Sequence, residues 1–279
     1  MRLAHLLLTH ANPAQCSRLI SRLACSDTDI YIHVDLKTNI GPFLHLKDSA
    51  NVYFINDRVR VNWAGYSIVQ ATLNGLRDIT ASGKEYSHIN LLSGQDYPLR
   101  STEEIHKFYS ANAGKNFMLS MSVEHEWPEA IRRITEYHLP DNNFPGKIFV
   151  LKILNTIAPK RKVPAGLIPV GKSQWFTITP ASALYIINYL EQHPEVVRFF
   201  KRSWAPDEMI FQTILHNSPH KVAIVNDNLV YTDWSAGGAS PKVLTMGDAD
   251  KLLSSDKLFA RKFSVSADSE ILDYLDKHN

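Results

Sequence analysis

Cysteine is nearly missing from this chain: Cys16 and Cys25 are the only two in 279 residues, too few for a disulfide framework. Both fall in or just after the first helical pattern, so they read as reduced packing residues. An excess of charge of one sign is missing too. Thirty basic against 28 acidic residues leave a formal net charge of +2, short of the field by which a nucleic-acid binder attracts its partner. No stretch approaches 18 consecutive apolar residues, and the opening run Met1–Thr9 is too short to span a bilayer or to serve as a signal peptide. The expectation is therefore a soluble, cytoplasmic protein with no transmembrane segment, for which membrane contact is confined to peripheral association. The twelve histidines include no helix-spaced pair beside a carboxylate, so a zinc enzyme gets little support. Internal repeats and low-complexity linkers are also lacking, which favours one continuous domain over residues 1–279.

What is present is a 44% hydrophobic composition, enough to bury a large core. Short apolar runs alternate with helical patterns in the first half, as a mainly parallel α/β sheet requires. Residues 2–9, 30–34, 52–55 and 86–92 read as strands. Residues 13–25 read as a helix capped by Asn12, 67–80 as an amphipathic helix, and 101–109 as a helix with a Ser101–Glu104 capping box. Residues 138–170 lack a clean period and are expected to be irregular. A short strand over 175–178 precedes a helix over 180–191. Pro206 is expected to open a helix running to about His216. Strands at 222–225 and 229–231 and a helix near 269–277 complete the chain. Asp35 and the Ser93-Gly94-Gln95-Asp96 loop lie at carboxyl ends of strands, where open α/β sheets gather ligands.

The strings Ile32-His33-Val34-Asp35-Leu36-Lys37-Thr38, Val61-Asn62-Trp63-Ala64-Gly65-Tyr66-Ser67, Tyr86 to Leu99, and Gly171-Lys172-Ser173-Gln174-Trp175-Phe176 occur in this order. They are followed by Pro206-Asp207-Glu208, Tyr231-Thr232-Asp233-Trp234, Ser240-Pro241-Lys242 and Leu258-Phe259-Ala260-Arg261-Lys262-Phe263. Together they resemble the core-2/I-branching β-1,6-N-acetylglucosaminyltransferase family, which also includes the peptide O-xylosyltransferases, from about residue 3 to residue 265. The resemblance implies a GT-A-like α/β fold with a mixed, mainly parallel central sheet flanked by helices. Residues 1–110 would be mainly the donor-nucleotide half and 111–279 the acceptor and catalytic half. It further implies an inverting enzyme with a UDP-sugar donor, a glycan acceptor, no metal and no other cofactor. The donor sugar would be N-acetylglucosamine, or alternatively xylose; a catalytically silent carbohydrate-binding protein is the reading from another class. Lacking the anchor and the cysteines of animal members, the chain looks like a soluble bacterial relative. The Asp-x-Asp strings at 27–29 and 248–250 are read as accidental.

Inverting transfer needs a base for the acceptor hydroxyl, and a carboxylate suffices because the transition state is oxocarbenium-like. On spacing alone, Asp207 and Glu208 could merely complement a helix dipole. The resemblance makes Glu208 the catalytic base and Asp207 a supporting or capping group. Without a metal, cations must neutralise the departing diphosphate. The late lysine of the family falls on Lys262 and its earlier basic residue falls nearest Lys242, with Arg261 an additional candidate. Asp35 is expected near uridine or ribose. Gly65 permits close backbone approach, useful beside a nucleotide but ordinary at a helix start. Asp96 reads either as a ligand of sugar hydroxyls or as a turn residue before Pro98. Trp175, Tyr231 and Trp234 offer flat faces for sugar rings, with Asp233 placed for a sugar hydroxyl.

Overall fold

A computed structural model describes residues 1–278. The chain folds as two compact units, each assembled from separate stretches of sequence. Elements are numbered along the chain. The first unit takes residues 1–56, 85–114 and 229 onwards. Its main sheet contains β1 (Arg2–Thr9), β2 (Thr28–Val34), β3 (Val52–Phe54) and β4 (Tyr86–Ser93). They run parallel in the order β3-β2-β1-β4. Strands of a parallel sheet are covered on both faces, which is why β1 and β2 are almost wholly buried, including the polar Thr28, Asp29 and His33 of β2. The α/β class and mainly parallel pairing expected from the sequence are thus observed.

Helix α1 (Pro13–Leu23) follows β1 with Pro13 in its first turn. Asn12 adopts a left-handed conformation (φ 53°) and caps through its main-chain carbonyl, which accepts from the Cys16 N–H; its side chain makes no cap. Helix α3 (Thr102–Ala111) has the expected capping box, Ser101 and Glu104 each accepting from the other's backbone. Strand β5 (Asp96–Pro98) joins a second, small sheet with β9 (Val230–Thr232) and β10 (Phe259–Arg261). There β10 is central, antiparallel to β5 and parallel to β9. Helices α9 (Ala249–Ser254) and α10 (Glu270–His278) close the unit. Asp276 on α10 receives Arg18 at 2.6 Å and the Tyr97 hydroxyl at 2.6 Å, tying the last helix to α1 and β5. Both cysteines are free, Cys16 buried and Cys25 half-buried.

The second unit takes residues 57–84 and 115–228. Strand β6 (Asn116–Ser122) lies between β7 (Val170–Ile178), to which it is antiparallel, and β8 (Ile224–Val225), to which it is parallel. Helices α2 (Tyr66–Thr80), α6 (Pro180–Gln192) and α8 (Ile210–His216) pack on one another in sequence. The remaining helices are α4 (Ile131–Thr135), α5 (Lys147–Ile157) and α7 (Pro194–Phe200).

Three local expectations change. Residues 138–170 contain a true helix, α5; its apolar residues surround it instead of lining one face, so no period could mark it. The helix expected from Pro206 to His216 is two pieces. A 3₁₀ turn over Pro206–Glu208 ends at Met209 (φ −136°, ψ −39°), and α8 starts at Ile210. The strand expected at 222–225 shrinks to β8 because Pro219 starts a 3₁₀ turn through Ala223.

Candidate active site

In the second unit, the Pro206-Asp207-Glu208 turn is held from two sides. The Ala205 N–H, just before it, donates to the Ala64 carbonyl at 2.9 Å. On the other side lies Gly171 of β7. A Cβ there would come within 2.1 Å of the Glu208 carbonyl oxygen and 2.9 Å of the Met209 Cα, both backbone atoms that cannot step aside. Glycine at 171 therefore lets the strand press directly on the turn. Glu208 leaves this rigid seat with its side chain 31 % exposed, and its Oε2 accepts from Arg133 Nη1 at 2.5 Å. Arg133 is fixed in turn over the Trp127 ring at 4.8 Å, and Lys172 reaches the same indole at 5.4 Å. The result is an accessible carboxylate aimed by a guanidinium and flanked by cationic groups.

Asp207, one residue before, is the opposite case. It is buried, and its Oδ1 has no hydrogen-bond partner among the described residues. Burial, reinforced by the neighbouring Glu208 charge and opposed by Arg133, pushes its carboxyl up to about 7. Of two adjacent acids, only Glu208 is presented to solvent.

Gly65 also belongs to the second unit, where its close approach is filled by a side chain. A Cβ at 65 would fall 2.1 Å from Asp141 Oδ1. That carboxylate accepts from the Ser67 N–H at 3.1 Å, the Ser67 hydroxyl at 2.5 Å and Asn62 Nδ2 at 3.3 Å, capping α2 from 74 residues away. The helix-start reading of Gly65 is the one this geometry fits. Trp63, in the same string, is 66 % exposed and meets Trp204 edge to face at 5.3 Å. Trp175 on β7 is half-buried.

In the first unit, a hollow lies at the carboxyl ends of β1 and β4, lined by Thr9, His10, Asn12, Ser93 and Gln95 among others. Asp35 sits at the end of neighbouring β2, its N–H donating to the Thr9 carbonyl at 2.8 Å and its Oδ1 accepting from the Lys37 N–H at 2.8 Å. One buried side chain organises the floor. Gln15 Nε2 donates to the carbonyls of Gly94 (2.8 Å) and Phe263 (3.2 Å), while its Oε1 accepts from the Val265 N–H at 3.0 Å. Lys262 is set between these ties: Phe263 N–H donates to the Gln95 carbonyl and Leu244 N–H to the Lys262 carbonyl, both at 2.8 Å. The Lys262 side chain is half-buried.

Arg261 and Asp96 are brought together, but inward. Asp96 is fully buried, accepts from the Ser93 N–H, and lies 3.5 Å from Arg261 Nε. Burial raises the Asp96 carboxyl while Arg261 and the Ser93 bond oppose it. This favours the turn reading of Asp96 and makes Arg261 its counter-ion. Lys242 Nζ meets the buried Asp248 at 2.6 Å, and its N–H donates to the Asp233 carbonyl at 2.8 Å. Asp233 Oδ1 accepts from the Ser235 N–H at 2.8 Å, Tyr231 is half-buried on β9, and Trp234 is 55 % exposed. The first carboxylate of one Asp-x-Asp string and the last of the other are thus engaged structurally: Asp248 as above, and Asp29 with Arg2 at 2.9 Å and the Tyr86 hydroxyl at 2.7 Å. Among the described residues, no group of three or more His, Cys, Asp or Glu side chains is disposed to hold a metal ion.

With this geometry in view, the match to a family model is decisive: the model described as Core-2/I-Branching enzyme covers residues 3–252. The chain belongs to the core-2/I-branching enzyme family. Among curated relatives, xylosyltransferase 2 of Rattus norvegicus is 28% identical over 308 residues, covering 100% of this chain and 34% of its own length. Xylosyltransferase oxt of Drosophila pseudoobscura pseudoobscura is 25% identical over 296 residues, covering 98% of this chain and 32% of its own. The chain thus spans about a third of the length of these relatives. A solved structure, the apo form of mouse xyloside xylosyltransferase 1, aligns over 92% of this chain and 97% of its own with 11% identity and a TM-score of 0.42.

Core-2/I-branching strings mark Glu208 and Lys262, yet the groups that hold them in place fall outside the blocks from which they were read. Arg133 and Trp127 occur in a stretch whose pattern carries no sign of a carboxylate 75 residues away. Gln15 looks like an ordinary polar helix residue, and only its burial reveals three backbone partners. Gly171 was visible as a residue of its block, but not the backbone it touches.

Proposed function

We propose that this chain is an inverting glycosyltransferase that moves a sugar from a UDP-sugar to a hydroxyl of a glycan or glycoconjugate without a divalent metal. Glu208 takes the acceptor proton while the acceptor oxygen bonds to the anomeric carbon from the face opposite the leaving group. The bond from that carbon to the diphosphate breaks, and UDP departs with the electron pair. Lys262 supplies positive charge to the departing diphosphate, with Lys242 as second candidate once its contact with Asp248 yields. A cation beside a partly shielded phosphate contributes on the order of 2–4 kcal/mol. Asp35 would meet the uridine or ribose, and Trp63, Trp175, Tyr231, Trp234 and Asp233 are the candidates for sugar contacts.

The observation that carries this reading is the Glu208 carboxylate. It is accessible, aimed by Arg133, and built on a turn that Gly171 lets β7 clamp. A residue serving only a helix dipole needs no such seat, and α8 begins beyond Met209, outside the turn. N-acetylglucosamine was the donor expected from the sequence. The relatives named xylosyltransferases, aligned over this whole chain, favour xylose as the alternative.

Thermal unfolding with UDP-xylose, UDP-N-acetylglucosamine and UDP-glucose, each with and without a chelator, tests donor and metal together. The expected result is a rise in melting temperature with one sugar nucleotide that the chelator leaves unchanged. Stabilisation that vanishes with chelator would overturn metal independence. Stabilisation without turnover on any hydroxyl acceptor would favour a silent carbohydrate-binding protein.

A further inference from the structure

Helix α5 is docked to its unit by one edge alone. Asn155 exchanges two hydrogen bonds with the Tyr137 backbone, at 2.7 and 3.0 Å, and Leu151 and Leu154 are half-buried beside it. No residue of the helix is fully buried. Around the outer arc stand Ile148 (84 % exposed), Phe149 (67 %) and Ile157 (77 %), with Val150 and Ile153 between them. Phe149, Ile153 and Ile157 recur every four residues, so they form one stripe about 12 Å long. A contiguous apolar stripe of this kind on a water-soluble surface marks a docking face.

The charge around it identifies the occupant. From Lys147 to Lys162 there are five cations and no carboxylate, in a chain whose net charge is only +2. Arg161 stacks over Phe199 at 4.0 Å, and Lys162, Arg198 and Arg202 line the same hollow. Glu136 is the acid that touches this group, meeting Arg132 at 2.9 Å and Lys160 at 3.6 Å. The exposed Lys152 has a stem long enough to follow the apolar face with its ammonium group outward, whereas Lys147 Nζ donates to the Asn142 carbonyl at 2.8 Å. Large apolar side chains on a helix surface, bordered by cations and poor in acids, suit the interface of a bilayer bearing anionic headgroups. Among the described residues no helix is long and apolar enough to cross a membrane, so the contact would be a surface one.

We propose that α5 and the exposed Lys160 and Lys162 that follow it dock this chain onto membranes containing anionic phospholipid, with Phe149, Ile153 and Ile157 entering the acyl boundary. Arg161, between the two lysines, is tied inward to the Glu136, Arg202 and Phe199 carbonyls. This does not depend on the assigned catalytic residues and can fail independently of them. The test is co-sedimentation of the chain with vesicles of phosphatidylcholine, or of phosphatidylcholine and phosphatidylglycerol in equal parts. The chain is expected to pellet with the anionic vesicles, less with neutral ones, and to be released by high salt. Each surface cation contributes roughly fivefold to partitioning. Replacing Lys160 and Lys162 together by Gln should therefore weaken binding about 25-fold. The triple change F149S/I153S/I157S should abolish retention at high lipid. Both variants alter exposed side chains, so thermal melts should match wild type. Failure of wild type to bind anionic vesicles, or undiminished binding by both variants, would overturn the proposal. So would a wild-type dimer in light scattering that the triple change dissolves, which would assign the face to a second copy.

Discussion

Two neighbouring carboxyls on one turn illustrate how far local surroundings separate chemically equal groups. Asp207 is buried with an oxygen lacking a hydrogen-bond partner among the described residues, and burial lifts it to about 7. Glu208 faces outward onto Arg133 at 2.5 Å. A base must reach its proton first and have the right affinity second, and only Glu208 meets the first condition. The guanidinium keeps Glu208 aimed, and in the proposed mechanism the acceptor hydroxyl competes with that contact for the same oxygen. Replacing Glu208 by Gln keeps shape and the acceptor atom for Arg133 but removes the negative charge. Turnover is expected to fall by roughly 10²–10⁴-fold, the span assigned to general-base catalysis, while UDP affinity measured by calorimetry changes little. Wild-type-like turnover in that variant would remove Glu208 from the mechanism.

At the scale of elements, the first unit depends on three loops that meet without a regular ladder: the Ser93–Gln95 loop, the segment after β10, and the start of α1. Gln15 substitutes for the ladder by satisfying Gly94, Phe263 and Val265 at once. Changing it to Leu fills the volume but leaves two carbonyls and one N–H without that partner, each costing about 1–3 kcal/mol if water cannot replace it. We expect a loss of about 2–4 kcal/mol in denaturant unfolding, together with weaker UDP binding because the Lys262 segment is released. A stability loss with unchanged UDP affinity would separate Gln15 from the donor site. The sequence was informative wherever an element writes its own pattern. The apolar runs of β1, β2 and β4 gave their positions within a residue or two, and Ser101 with Glu104 gave the start of α3. It was silent where the determinant is distant: Gln15, Arg133 with Glu208, and Asp141 closing over Gly65 each act across 74 or more residues. It misled at α5, whose exposed apolar residues hide the period, and at Met209, where contact with Gly171 accompanies a break that propensity does not encode.

For the whole molecule, buried titratable groups set opposing pH slopes: His5 in the first unit one way, and Asp96 in the first unit with Asp207 in the second the other. His5 on β1 is held by burial at about 3, far below its unfolded value of 6.5. The unfolded chain therefore binds a proton that the native chain refuses between those values, and stability contributed by neutral His5 is lost as pH falls through 6.5 towards 3. Asp207 shifts the other way, from 3.8 to about 7. There the native chain holds the extra proton, so stability is highest below 3.8, declines as pH rises, and levels off above 7. Each effect is on the order of 4–5 kcal/mol at most, from a shift of three to three and a half pH units at 1.36 kcal/mol each. Asp207→Asn, which cannot ionise, is expected to be more stable than wild type by about 2–4 kcal/mol at pH 8 and equal to it near pH 4. Measured by urea unfolding across this range, the same variant should expose the His5 slope that Asp207 masks in wild type between pH 4 and 6.5. If the two units unfold as one, a single transition carries every slope, and Asp207→Asn steepens its rise with pH between 4 and 6.5. If they unfold separately, His5 and Asp96 move the transition of the unit containing β1, Asp207 moves the other, and Asp207→Asn leaves the first untouched. An Asp207→Asn chain that is no more stable than wild type at pH 8 would show that the carboxyl ionises there without cost, and the assigned upward shift would be wrong.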